Sequence, residues 1–191
     1  FPEPVFTHLD VADYNERIDG GDFDMQAFID DPLEFRSTFS RYTAAADLFI
    51  AGHFWAEGSP FLFTREDMRS PDWKVKVVAD ISCDIDGPVA CTLRPSTIES
   101  PLYGYHPGTE QECMFSHPEG IAVMAVDNLP CELPRDASDG FGRELMDHVI
   151  PLLVEGDAEG ILDAATETTF EGKLNEPYAY LSDYVAAARR A

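Results

Sequence analysis

Three short patches of this sequence carry side chains that could do chemistry, and each closes an apolar run. In residues 80–87, DISCDIDG, the carboxylates of Asp80, Asp84 and Asp86 fall close together. Acids so grouped can hold a cation or an amine, or move a proton. The spacing has a superficial likeness to a calcium loop, but the glycine and the distal glutamate of that pattern are missing, so no metal is expected. Asp84 remains as a site carboxylate, with a solvated turn as the plain alternative. His53 follows the run DLFIAG and could serve as an acid, a base or a ligand. With no partner in view, a backbone and packing role is the commoner one. In residues 121–138, IAVMAVDNLPCELPRDAS, the apolar run breaks at Asp127-Asn128, and Pro130 and Pro134 bracket a turn. Asp127 and Asn128 either face a ligand or only shape the turn, because both residue types bond their own backbone. Residue type leaves those two readings even.

These patches need elements to hold them. Residues 47–52, 74–80 and 121–126 read as strands, the last a continuous apolar run suited to burial on both faces. A buried strand that ends in polar groups and feeds a helix is how open α/β sheets present side chains to ligands. Upstream, 9–17 and 24–29 read as short helical turns separated by Gly20-Gly21. Residues 32–46 read as a better helix, with Pro32 in its first turn and Leu33, Phe35, Phe39 and Tyr42 on one face. Thr64 and Asp67 carry a capping-box pattern. Residues 89–93 suggest an irregular strand, and 95–107 an ordered loop rich in aromatics. After Arg135 comes a long amphipathic helix that Pro151 should kink, then a short helix near 159–165 and a last one over 176–190 capped by Asn175.

With 191 residues, 45% of them hydrophobic, the chain can bury a real core. Its 36 acidic against 13 basic residues give a formal net charge of -23. That excludes nucleic acid and anionic membranes as natural partners, since both attract a basic surface. Lys74, Lys76 and Lys173 are the only lysines. Dense carboxylates with so little lysine suggest a protein of high-salt surroundings, where self-repulsion is screened. The expected result is loss of far-ultraviolet circular dichroism in low salt and its recovery in molar salt; indifference to salt would sink the idea. Cys83, Cys91, Cys113 and Cys131 show no close C-x-x-C spacing, and Cys83 and Cys131 adjoin strand signals. Buried free thiols in a reducing, cytoplasmic compartment are therefore expected. Phe1-Pro-Glu-Pro reads as a linker, so a chain cut from a longer protein is expected.

Taken in order, DLFIAGHFW (47–55), DISCDIDG (80–87) and AVDNLPCELPRDAS (125–138) resemble the C-terminal half of lysine-forming saccharopine dehydrogenase, also called lysine–2-oxoglutarate reductase. That family is related to alanine dehydrogenase and to the transhydrogenase nucleotide-binding subunit. Gly20-Gly21 with Phe23, Phe35-Arg36-Ser37, and Thr97-Ile98 with Pro101 fit the same pattern. The likeness implies an α/β fold holding half of a Rossmann-like parallel sheet of three strands, with flanking helices. Residues 1–154 would be the second half of a dinucleotide-binding domain, and 155–191 a helical segment returning to a substrate domain that this chain lacks. The cofactor would be NAD or NADP, and the substrate a small amino acid and oxo acid. The resemblance assigns Asp84 as the catalytic residue near the nicotinamide and the substrate amine. It assigns His53 and Phe54, with Val126, Asp127, Asn128 and Leu129, to the nicotinamide and ribose. Arg135 could hold a carboxylate, though a structural ion pair is the plainer role. No G-x-G-x-x-G occurs, and the family's proton-transferring lysine and histidine have no counterpart here. The remainder of its own chain would supply both, and a homo-oligomer is possible. Two other readings stay open: an alanine-dehydrogenase-like enzyme, and a stand-alone interaction domain without catalysis.

Overall fold

The computed structural model describes residues 2–188, which divide into two compact units, Phe1–Glu132 and Leu133–Ala191. In the first, α1 (Val11–Tyr14) runs into β1 (Asn15–Arg17) and is followed by α2 (Met25–Asp30). Strand β2 (Phe35–Ser37), helix α3 (Ser40–Thr43) and strands β3 (Leu48–Ala51) and β4 (Val77–Asp80) come next. The hairpin β5 (Leu102–His106) and β6 (Gln111–Cys113) then precedes β7 (Ile121–Met124).

The three strands expected from the apolar runs form and lie side by side in parallel, β3 against β4 and β4 against β7. The five-stranded sheet has the order β3-β4-β7-β5-β6, because β5 adds antiparallel to β7 and β6 to β5. A Rossmann-like parallel half-sheet is thus present, extended by a hairpin where a loop was expected. That region was misread because Gly and Pro break its pattern. Tyr103, Gly104 and Tyr105 are all buried, so burial shows no period of two. Gly104 is needed there: a Cβ would run into the carbonyl of Met114.

One face of the sheet is packed. Val78 on β4, with Ile121 and Val123 on β7, are inaccessible to solvent or nearly so. Over them lies an aromatic cluster in which Phe39 meets Phe49 at 4.8 Å and Phe63 meets Trp73 at 5.0 Å between ring centroids. Phe39 and Phe63 are buried, each contributing about 1.5–3 kcal/mol, while Phe49 and Trp73 are partly buried. On edge strand β3 the other face is bare, with Leu48 52% and Ile50 59% exposed.

The helix expected over 32–46 is broken into a 3-10 turn (Pro32–Glu34), β2 and α3. Phe35 is drawn into a ladder with Arg17 on β1 and is buried there. The Ser37 hydroxyl, which accepts from Phe39 N at 3.2 Å and donates to Leu62 O at 3.0 Å, ends the strand in place of a helical turn. Residues 9–17 likewise yield α1 plus β1. The capping box forms as expected: Thr64 N donates to Asp67 Oδ2 at 2.7 Å, and Asp67 N to Thr64 Oγ1 at 3.2 Å.

In the second unit, α4 (Pro134–Glu144) passes through a π-turn (Leu145–Val149) into α5 (Ile150–Glu155). The interruption falls at the expected Pro151, which lacks an N–H and whose ring displaces the carbonyl four residues before it. Helix α6 (Ile161–Ala165) follows. The last segment is a 3-10 helix (Glu176–Leu181) leading into α7 (Ser182–Ala188). Asn175 does not cap it; its amide donates instead to Thr166 O at 2.6 Å. The expected helix end at Arg190 lies outside the described residues. Among those residues no helix is long and apolar enough to cross a membrane.

Candidate functional site

Parallel strands carry their carboxyl ends to one edge of the sheet, and here that edge collects groups from three of them. Strand β4 ends on Asp80, whose side chain is in phase with Val78 and is driven inward until no part meets solvent. A buried carboxylate must be hydrogen-bonded to be tolerated. Asp80 accepts from Ser82 Oγ at 2.6 Å, from Cys83 N at 3.1 Å and from Thr92 Oγ1 at 2.6 Å. These bonds fold residues 81–87 into a tight loop, with Cys83 at a φ of 54°.

The loop presents Asp84, which is partly buried and has no side-chain hydrogen bond among the described residues. Asp86 turns away to Arg65 at 3.3 Å. The three acids grouped in sequence therefore part company: one anchors the loop, one stands at the sheet edge, and one joins a surface ion pair. No metal-binding cluster of His, Cys, Asp and Glu assembles among the described residues. Gly87 closes the loop, where a Cβ would come within 2.6 Å of Asp84 Cβ and 2.9 Å of Asp84 O. Replacing Gly87 by alanine is expected to displace Asp84 and cost about 1–3 kcal/mol, measurable by thermal denaturation. Unchanged stability would show that the loop yields.

Beyond β3, the His53 ring is partly buried, and its Nε2 has no hydrogen-bond partner among the described residues. Burial holds its pKa below the ordinary histidine value, against the pull of Asp80 and Asp84. Those two carboxylates thus act on the ring, and the imidazole is neutral at pH 7. Phe54 points outward, 91% exposed. Beyond β7, Val126 is buried, Asp127 and Asn128 are exposed, and Leu129 opens a 3-10 turn (Leu129–Cys131) with Pro130.

Cys83 joins the last two strand ends. Its thiol donates to Ala125 O at 3.2 Å. Burial, then Asp80, Asp127 and Asp84, push its pKa up, so it stays a thiol. All four cysteines are free, but Cys131 is exposed, contrary to expectation, because the 3-10 turn carries it off the strand. Ser96, invisible as a site residue in the sequence, seals the end of β7 by a parallel bridge to Val126. Residues 95–99 face residues 126–128 across a cleft of about 250 Å³. Among the described residues its walls hold Thr97, Glu99, Asp127 and Asn128 but no cation. Such a lining suits hydroxyl or amide groups and repels phosphate. A larger cavity, about 420 Å³, lies among residues 32–40 and 58–67 and shares no residue with the strand ends. Arg135, in the first turn of α4, makes no ion pair among the described residues, so the structural pairing expected of it is not seen.

His53, Asp84 and Asp127-Asn128 therefore share one sheet edge, as their positions after strands required. Their partners Asp80, Thr92, Cys83 and Ser96 carried no comparable sequence signal, apart from the placement of Asp80 in step with Val78.

No protein-family model matches the chain. It is similar to the mitochondrial alpha-aminoadipic semialdehyde synthase of Mus musculus, 28% identical over 186 residues, which covers 79% of this chain and 20% of that protein. It is 28% identical over 153 residues to the alpha-aminoadipic semialdehyde synthase of Arabidopsis thaliana, covering 77% of this chain and 14% of the relative. With the saccharopine dehydrogenase (NAD(+), L-lysine-forming) of Schizosaccharomyces pombe it shares 29% identity over 112 residues, 56% of this chain and 28% of that enzyme. The chain spans about a fifth of the length of the first of these curated relatives.

Proposed function

We propose that this chain is part of an NAD(P)-dependent amino-acid dehydrogenase of the saccharopine-forming type, acting by hydride transfer at an amino-acid Cα–N or imine centre. The observation that carries the reading is the convergence of Asp84, His53 and Asp127-Asn128 on one edge of a parallel sheet, where Asp127 and Asn128 line a cleft with no cation among the described residues. A relative named as an L-lysine-forming, NAD(+) saccharopine dehydrogenase supports it, as does the resemblance of all three strand-end patches.

The residues fit one half of a dinucleotide. The uncharged nicotinamide and ribose suit a cleft lined by Asp127, Asn128 and Thr97, and the backbone at His53, Phe54 and residues 126–129 would line them. The phosphates need a glycine-rich turn at a helix start, and this sequence has none. When bound in its reduced form, the cofactor would supply the hydride. Asp84, with no bond of its own to break, offers a carboxylate to the N–H groups of a substrate amine and orients it. Neutral His53 borders the same carboxylates and keeps water from one side. The remainder of the chain would bring the phosphate turn and the acid–base groups, on which near-attack geometry depends. NAD and NADP are both compatible with the residues present, since the discriminating group follows the phosphate turn.

By itself, then, residues 1–191 should bind NADH or NADPH at millimolar strength or weaker, as read by titration calorimetry, while the protein expressed as its gene encodes it binds one of them at micromolar strength. Micromolar binding by the isolated chain would refute its incompleteness. No dinucleotide binding by the whole gene product would refute the function.

A further inference from the structure

The peptide of Ala125 is where two loops meet. Its carbonyl accepts from Ser96 N at 2.8 Å and from Cys83 Sγ at 3.2 Å, and its N–H donates to Ser96 Oγ at 3.0 Å. Both Ala125 and Ser96 are buried, so neither bond is replaced by water when broken. On one side the peptide leads directly to Val126, Asp127 and Asn128. On the other, Cys83 adjoins Asp84 and has its own N–H held by Asp80 at 3.1 Å. Cys83 keeps a left-handed backbone, φ 54°, that a non-glycine residue adopts only when its surroundings enforce it. Here both its N–H and its thiol are tied.

We infer that Ser96 is a positioning residue: through the Ala125 peptide and the Cys83 thiol it fixes the turn bearing Asp127-Asn128 against the loop bearing Asp84. Its importance to turnover rests on the proposed function; the coupling itself does not. Ser96 stands in the wall of the cleft, but its hydroxyl oxygen is engaged by the Ala125 N–H, and its effect runs through the two segments it joins.

The test is hydrogen exchange on the protein expressed as its gene encodes it. Replacing Ser96 by alanine strips the acceptor from the Ala125 N–H, and exchange should rise about tenfold both in residues 125–128 and in residues 81–87. Strand β4 should keep its protection. Ser96→Thr, which retains the oxygen, should restore the wild-type pattern. In steady-state kinetics Ser96→Ala should raise KM for the dinucleotide about fivefold with kcat within about twofold. A merely structural serine would lower Tm and leave KM alone. Unchanged exchange in residues 81–87, or a rise spread equally over β4, would overturn the coupling. Should Ser96→Ala fail to fold, Cys83→Ala removes the other tether and must speed exchange in residues 125–128; if it does not, the coupling is wrong. A wild-type protein indifferent to dinucleotide would defeat the proposed function, leaving exchange to decide the tether.

Discussion

Replacing Asp80 by alanine is expected to cost about 2–4 kcal/mol of folding stability, the largest loss of any single substitution at the sheet edge. The carboxylate satisfies three donors at once, and one of them, the Thr92 hydroxyl, belongs to a residue buried from water. Alanine leaves them unpaired and opens a void beneath the loop. Asp80→Asn should cost less, about 1–2 kcal/mol, because the amide keeps the shape and one oxygen while the Thr92 hydroxyl can turn to accept from its nitrogen. Both tryptophans, Trp55 and Trp73, lie in the first unit, so urea denaturation followed by tryptophan fluorescence reads that unit directly. An alanine variant as stable as the wild type would mean that the three donors find other partners and that Asp80 is no anchor.

The second large effect concerns Asp84. In the protein expressed as its gene encodes it, Asp84→Asn should lower kcat/KM about tenfold to a hundredfold, because the amide cannot offer a charge to a substrate amine. Stability should change by less than about 0.5 kcal/mol, since no side-chain bond is broken among the described residues. Asp86→Asn is the internal comparison. That carboxylate is exposed and paired with Arg65 at 3.3 Å, and its loss should alter kcat/KM by no more than about twofold. If the two substitutions act alike, the effect is one of general acidity and Asp84 has no special place. If Asp84→Asn instead unfolds the protein, the carboxylate is structural.

These two carboxylates show how far the sequence could be read. Asp80, Asp84 and Asp86 form one acidic patch in the chain, and nothing in their type separates an anchor from a site group or a surface charge. Side-chain phase gives a partial clue, because Asp80 lies two residues after the buried Val78 and shares its face. Its bond to Thr92, however, joins positions that only the fold brings together. The parallel strands were legible because each is a short, largely apolar run that leaves a local trace, even though only alternate residues on one face are fully buried. The β5–β6 hairpin was not, since the close approach that demands Gly104 involves Met114 across the turn. Helix 32–46 was overcalled for the complementary reason: Phe35 satisfies helical spacing, yet pairing with β1 buries it better.

What the sequence determined by itself, then, was local: three apolar strands, the polar residues that end them, the capping box at Thr64, the break at Pro151, and a strongly acidic net charge. Each follows from interactions among near neighbours in the chain or from composition. The tertiary structure alone decided which of those polar ends turn inward, which stay open, and what ties them together. Asp80 became an anchor, Asp84 kept no side-chain partner among the described residues, and Ser96 and Cys83 came to clamp one peptide from opposite sides. Burial and hydrogen-bond satisfaction are set by distant partners, and no local pattern encodes them.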